Sequence, residues 1–523
     1  MIFNLLLQLA LSSFYKQRFQ QRLNHLNTHT DEFFDQIYLT DFDPNISINP
    51  KSILILLGGF SRISEEMANS KPLLDLKQAT NSHIIILEHR FFGESIPADG
   101  LTPQNRNYLM IYQALADIDY FLEYVQYKFC SKSSCNIGLI GSGYAGSLAA
   151  WSRVRYPHLT TGAWSSSAPL LITPEFPFFD KFHAKELDKI KSGCLNSTKN
   201  VYDQIENIID NGDNETINNL KNIFDFKPEQ DNVSLLYAIS EVLSLPLREP
   251  NHLSMLNQHC NLITQNETID SISETYHSIL NEFNKSADLF DPFLYSNHSD
   301  LYNLLWFQCN QVGWFHTSSG KLRSKKINIS YFNRVCQKSF GIDVINSTIA
   351  NIDFGGTDPY LSNAVFTNGE KDPYKYLSVR KGFEHMGRLA YVLPAVGPSA
   401  DLYYKDEHDQ LEPEKVHKTS NSLNSEIKSI QDTCVQKMAK WILRDCENKC
   451  KMGTCVLSNC ICSEMWDGEF CDRRTHTSVA YTIISAVCIV APTLLLLFFG
   501  TFVLFCGTKE DTEIDNSRKS YFT

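Results

Sequence analysis

The chain has 523 residues and 43% hydrophobic content, enough to bury a large core and carry accessory modules. Its net charge is −12 with no long basic run, which argues against nucleic-acid binding. Fifteen cysteines fit disulfides in an oxidising compartment.

Residues 1–13 hold an apolar stretch, Ile2 to Leu11, followed by small residues, and resemble a signal peptide. Residues 14–47 are polar and aromatic. Residues 51–57 form a near-continuous apolar strand ending in Gly58-Gly59, and residues 83–87 form a second one ending in Glu88-His89-Arg90, read as a structural charge cluster. Between 108 and 125, Ile111, Leu115, Ile118, Leu122 and Val125 follow the spacing of a helix packed on one face. Residues 136–140 read as a buried strand, 141–145 as a Gly-rich turn, and Gly146 onward as a helix. Strand, sharp turn and helix are the geometry of a nucleophile elbow, in which G-x-S-x-G lifts a serine above an α/β sheet. The five positions here are Gly141, Ser142, Gly143, Tyr144 and Ala145, so glycine stands where the nucleophile belongs. Strands apolar on both faces alternating with helices predict a parallel α/β sheet.

The pattern changes around Ile172. Residues 186–345 are helical in character and polar, and read as an insertion capping the sheet; the α/β pattern returns at Ala364-Val365-Phe366 and at 389–393, and 412–443 is a helical finish. Nine N-x-S/T sequons are candidate glycosylation sites: Asn45, Asn196, Asn214, Asn232, Asn266, Asn284, Asn297, Asn328 and Asn346. Their concentration in the insertion predicts an exposed surface there.

Six cysteines crowd into 446–471 with the spacing C-x3-C-x4-C-x4-C-x-C-x8-C. So small a fragment needs staples. Its C-x-C-x8-C end, with Trp466, Gly468 and Phe470, resembles an EGF-like domain, which implies the pairs Cys446–Cys455, Cys450–Cys460 and Cys462–Cys471. The module has no histidine, and no metal site or cofactor is expected anywhere in the chain. Seven cysteines are spread over the main body, an odd number, and Cys434 is the one expected to be free. Residues 479–506 run 28 positions without a charge, long enough to span a bilayer, and 507–523 form a short polar tail.

Several stretches together resemble the prolyl carboxypeptidase and dipeptidyl peptidase II group of lysosomal serine exopeptidases. They are RFQQRLNHLN from Arg18, LEHRFFGESIP from Leu87, YQALADIDYF from Tyr112, the elbow running into LAAWSRVRYPHL, WSSSAPL from Trp164, CNQVGWFHT from Cys309 and NAVFTNGEKDPY from Asn363. The resemblance implies an α/β-hydrolase domain with a helical cap and cleavage next to proline. An acyl-transfer triad needs a nucleophile, a base and a carboxylate that holds the base. By the family's motifs the serine falls on Gly143, the aspartate on Asp372 (with Tyr374 in place of a tryptophan) and the histidine on Pro398. Phe60 also replaces the acid that usually follows the two glycines. Ser142 is expected to turn to the opposite face; Ser147 and Ser165–Ser167 have no evident base, and His385 and His408 read as loop histidines.

The predicted organisation is a signal peptide (1–13), the hydrolase domain in two parts (14–175 and 346–445), the cap (176–345), the EGF-like module (446–472), a transmembrane helix (479–506) and a cytoplasmic tail (507–523). The predicted function is that of a membrane-anchored homologue of proline-directed serine exopeptidases, catalytically inactive and binding peptides or proteins. The alternatives are an active serine exopeptidase with a relocated nucleophile and an adhesion protein acting through its EGF-like module. The expected partners are a peptide or protein ligand in the hydrolase cleft, the membrane and a second copy of the chain, at the cell surface or in lysosomal or endosomal membranes.

Overall fold

The computed structural model describes residues 14–27, 32–46, 48, 50–97, 100–130, 135–248, 252, 254–295, 299–345, 348–403, 419–443, 450–456, 459–464, 466–467 and 471–475. The chain divides into two units, Met1–Arg444 and Asp445–Thr523.

In the first unit, among the described residues, eight strands form one sheet: β1 (Tyr15–Arg22), β2 (Phe33–Thr40), β3 (Ser52–Leu57), β4 (His83–Leu87), β5 (Asn136–Ser142), β6 (Gly162–Ser166), β9 (Ala364–Gly369) and β10 (Arg388–Leu393). Two short strands, β7 (Thr173–Glu175) and β8 (Gly313–Phe315), pair separately. The order in the sheet is β1-β2-β4-β3-β5-β6-β9-β10. From β4 to β10 all neighbours are parallel, because helical crossovers return each strand in the same direction. This is the α/β-hydrolase sheet.

The sheet is mixed rather than wholly parallel. β1 and β2 are an antiparallel pair, and β2 is antiparallel to β4. The reason lies in the connection: residues 23–32 are too few for a helical crossover, so the chain returns as a hairpin. At this edge only alternate β1 residues, Phe19 and Gln21, are buried, and Gln21 donates to Gln36 across the pair at 2.8 Å.

The central strands are buried on both faces. Ile53, Ile55, Leu139 and Ile137 meet the helix Ile111–Phe129 and the elbow helix Tyr144–Arg155 in one core. Leu54, Leu56, Ile84, Ile86 and Ile140 meet Leu73, Leu76, Met438 and Ile442 of the helices Lys71–Thr80 and Thr419–Ile442 on the other face.

The cap lies between β6 and β9, and β7 and β8 pair at its neck. Cys194–Cys260 joins the helices Cys194–Asn211 and Ser254–Ile263, and Cys309–Cys336 ties the π-turn Gln308–Val312 to the helix Ile329–Phe340. Cys130–Cys135 closes the loop before β5, and Cys434 is free and buried. Asn45, Asn196, Asn214, Asn266, Asn284 and Asn328 are exposed and Asn232 is half-buried; Asn297 and Asn346 lie outside the described residues.

In the second unit, strands Gly453–Val456 and Asn459–Cys462 form an antiparallel hairpin. Cys450–Cys460 and Cys462–Cys471 are disulfides, while Cys446, of the third expected pair, lies outside the described residues. The signal-peptide and transmembrane segments lie outside them as well. Among the described residues no helix is long and apolar enough to cross a membrane.

Candidate active site

The elbow follows from its glycines. A Cβ on Gly141 would lie 2.2 Å from the Ala145 carbonyl oxygen, so only glycine lets the elbow helix start this close to β5. Gly143 has φ 59° and ψ −130°, the strained backbone that a nucleophile would occupy. A Cβ built there meets nothing within 4 Å. The elbow is therefore intact in backbone and open where the side chain would project.

Gly143 and Pro398 line one cavity of about 440 Å³, together with Phe60, Tyr144, Ser399 and Tyr374. The fold thus brings together the nucleophile and base positions read from the motifs, and neither side chain can carry a proton transfer. Asp372 is fully buried where the loop after β9 meets the loop after β10. Its Oδ1 accepts the Tyr374 N–H at 2.8 Å, and its Oδ2 accepts no hydrogen bond of ordinary geometry. Burial pushes this carboxyl up to about 7, against the Tyr374 N–H and the nearby Ser167 hydroxyl, which favour the charged form.

Two hydroxyls, Ser167 and Ser399, line the cavity. Ser142 and Ser399 hydrogen-bond through their Oγ atoms at 2.5 Å, and the Ser399 N–H donates to Ser167 Oγ at 2.7 Å. Ser142 is not among the residues that line the cavity; it is the last residue of β5, and the loop after β10 folds over that strand end to meet it. Ser147 is buried in the elbow helix and donates to the Pro169 carbonyl. Ser165 donates to Gly146 O and Ser166 to Asp401. Among the described residues none of these hydroxyls has a histidine as hydrogen-bond partner. His385 is exposed beside Phe383, and His408 lies outside the described residues.

Phe60 lies stacked on Tyr144, with ring centroids 4.4 Å apart, and meets the Phe307 edge. An apolar floor replaces the acid at that position. Tyr144 in turn contacts His89, whose Nε2 lies 3.2 Å from the phenol oxygen. So the Glu88-His89-Arg90 cluster reaches the elbow through a side chain, while Arg90 itself is locked on Asp117.

A second group in the cavity includes Glu241, which was not singled out from the sequence. Glu241 Oε1 is 2.9 Å from His316 Nδ1, and His316 Nε2 is 2.8 Å from the Tyr374 hydroxyl. Arg323 donates to Glu241 at 2.6 Å, and Arg248 forms an ion pair with it. Burial opposes the Glu241 charge, but Arg248, His316 and Arg323 outweigh it and hold the carboxyl well below its usual range. Burial lowers His316 to about 4, partly offset by Glu241. His316 stands in the CNQVGWFHT stretch and Tyr374 ends NAVFTNGEKDPY; the available signal for Glu241 was that it is a lone carboxylate in the apolar helix Asn232–Leu243.

The model of the family described as Serine carboxypeptidase S28 matches residues 21–420. The chain belongs to this family. "Probable serine protease EDA2" of Arabidopsis thaliana is 24% identical over 408 residues, covering 73% of this chain and 80% of that protein. The thymus-specific serine protease of Mus musculus is 22% identical over 433 residues, covering 73% and 81%. The human lysosomal Pro-X carboxypeptidase is 30% identical over 200 residues, 37% of this chain and 40% of that protein. Among solved structures, the proline iminopeptidase of Mycobacterium smegmatis covers 82% of this chain and all of its own, with a TM-score of 0.34 and 10% identity, a likeness too distant to bear on function. The family match reaches through the elbow, the acid loop and the base loop, so the glycine at 143 and the proline at 398 stand inside the family's own domain.

Proposed function

We propose that this chain is a catalytically inactive S28-family protein whose hydrolase cavity binds a peptide or protein segment. The observation that carries the reading is the pairing of an open elbow at Gly143 with a buried Asp372 whose Oδ2 is unpartnered. A base would stand between them, and its position is Pro398. Backbone amides in the first turn of the elbow helix have no intrahelical acceptor and can still hold a carbonyl oxygen. Binding then survives while acyl transfer, which needs a nucleophile with a base in reach, does not.

Disulfides, exposed sequons and the name of the human relative, a lysosomal carboxypeptidase, support an extracytoplasmic site for the hydrolase domain. Residues 479–506 would anchor the chain, with the EGF-like module beside the membrane. The test is an assay of the purified full-length chain against proline-containing peptides from pH 4 to 8, beside Asp372→Ala and with a serine-directed phosphonate. No turnover, no label and retained peptide binding are expected. Turnover lost in Asp372→Ala would overturn the reading in favour of an active exopeptidase.

A further inference from the structure

Glu241, His316 and Tyr374 form a connected chain ending in the cavity, and Glu241, His316 and Tyr374 all line it. The donors along it follow from the chemistry of the groups. An ionised carboxylate only accepts, so the His316 Nδ1 facing Glu241 carries the proton. Burial keeps His316 neutral down to about pH 4, which leaves Nε2 as a bare acceptor. The hydroxyl 2.8 Å away must therefore donate to it. Tyr374 itself is pushed up by burial and stays a phenol. Its proton is committed, and its oxygen has only lone pairs left to offer.

Tyr144 repeats the arrangement: His89 Nδ1 donates to the Arg90 carbonyl at 2.7 Å, so its Nε2 accepts the Tyr144 hydroxyl. The cations on the lining, Arg248 and Lys285, exceed the single carboxylate, Glu241, whose charge is also shared with Arg323. Such a lining disfavours an ammonium group and leaves an uncharged donor. We propose that Glu241 and His316 hold Tyr374 as an acceptor-only group, so that the cavity takes its ligand through an uncharged amide N–H given to the Tyr374 oxygen and rejects the matching ester. This inference deepens the peptide-binding reading and rests on it.

The probe is acetyl-alanyl-prolyl-phenylalanine and the analogues in which each amide N–H is replaced in turn by an ester oxygen, titrated calorimetrically into the full-length protein. One replacement should weaken binding on the order of tenfold or more, because it leaves a buried acceptor unpaired. Tyr374→Phe should bind that ester and its amide equally. His316→Leu frees the Tyr374 proton, so the amide should still bind while the preference shrinks, a change in ratio that a merely structural role would not produce. Should His316→Leu fail to fold, Tyr374→Phe alone decides. Binding by wild type with no preference at any position, or a preference that survives Tyr374→Phe, overturns this inference alone. Absence of binding by all the probes overturns the peptide-site reading and this inference with it.

Discussion

Asp372 caps the Tyr374 amide with one carboxylate oxygen and buries the other without a hydrogen bond. A carboxyl raised from its ordinary value near 4 to about 7 binds its proton more tightly folded than unfolded. Its contribution to stability is complete below pH 4 and is lost as pH rises to 7. Asp372→Asn keeps the shape and removes the titration. Relative to wild type it should stabilise the fold at pH 8 by about 4 kcal/mol and have little effect at pH 4. Urea unfolding of both proteins at the two pH values checks this.

The buried histidines work in the opposite direction. Burial lowers His89, His259 and His316 to about 4 and His183 to about 3. Each stabilises the fold above the unfolded value of 6.5, and that contribution falls away as pH drops towards the folded values. At pH 5 each costs about 2 kcal/mol relative to pH 7. Because the four histidines outweigh the raised carboxyls Asp372, Asp401 and Glu88, the urea midpoint of wild type should climb from pH 4.5 to 6.5 and flatten above 7. A midpoint that instead peaks at pH 5 would contradict the burial of these imidazoles.

The parts legible in the sequence are those written in local spacing. The elbow lies within 136–151, where the apolar strand, the glycines and the helix follow one another directly, and β3 and β4 are continuous apolar runs. The β1–β2 hairpin was not legible because its strands carry polar residues on the exposed face and Gln21 and Gln36 on the buried one. The Glu241–His316–Tyr374 chain was not legible either. Its members stand 75 and 58 positions apart, joined only when the cap closes over the sheet. That one of the seven main-body cysteines stays unpaired was legible by arithmetic; that it is Cys434 follows only from the three disulfides that the other six form in the fold.

The cap disulfide Cys194–Cys260 closes a loop of 66 residues. Constraining so long a loop in the unfolded chain stabilises by about 4 kcal/mol. Both cysteines are buried, so a double replacement by alanine should lower stability by about that amount. The cavity-lining residues Tyr237, Glu241 and Arg248 belong to the same cap, so peptide binding should weaken at temperatures where the sheet domain is still folded. Differential scanning calorimetry with and without a bound peptide separates the two effects.

Rebuilding the triad tests the elbow most directly. Gly143→Ser places a side chain where nothing lies within 4 Å, so there is no steric obstacle, but φ 59° costs a non-glycine residue about 1–3 kcal/mol. Alone it should yield a folded, slightly destabilised protein without turnover, because the base position, residue 398, is a proline that cannot accept the serine proton. Pro398→His added to it supplies an imidazole beside Asp372, whose free Oδ2 is the acceptor such a ring requires. The double variant should label with a serine-directed phosphonate and hydrolyse proline-containing peptides slowly. Both activities should disappear in a triple variant carrying Asp372→Ala. Labelling of the single Gly143→Ser protein at the same rate as the double would mean that a base other than residue 398 serves the elbow, and would reopen the reading of wild type as inactive.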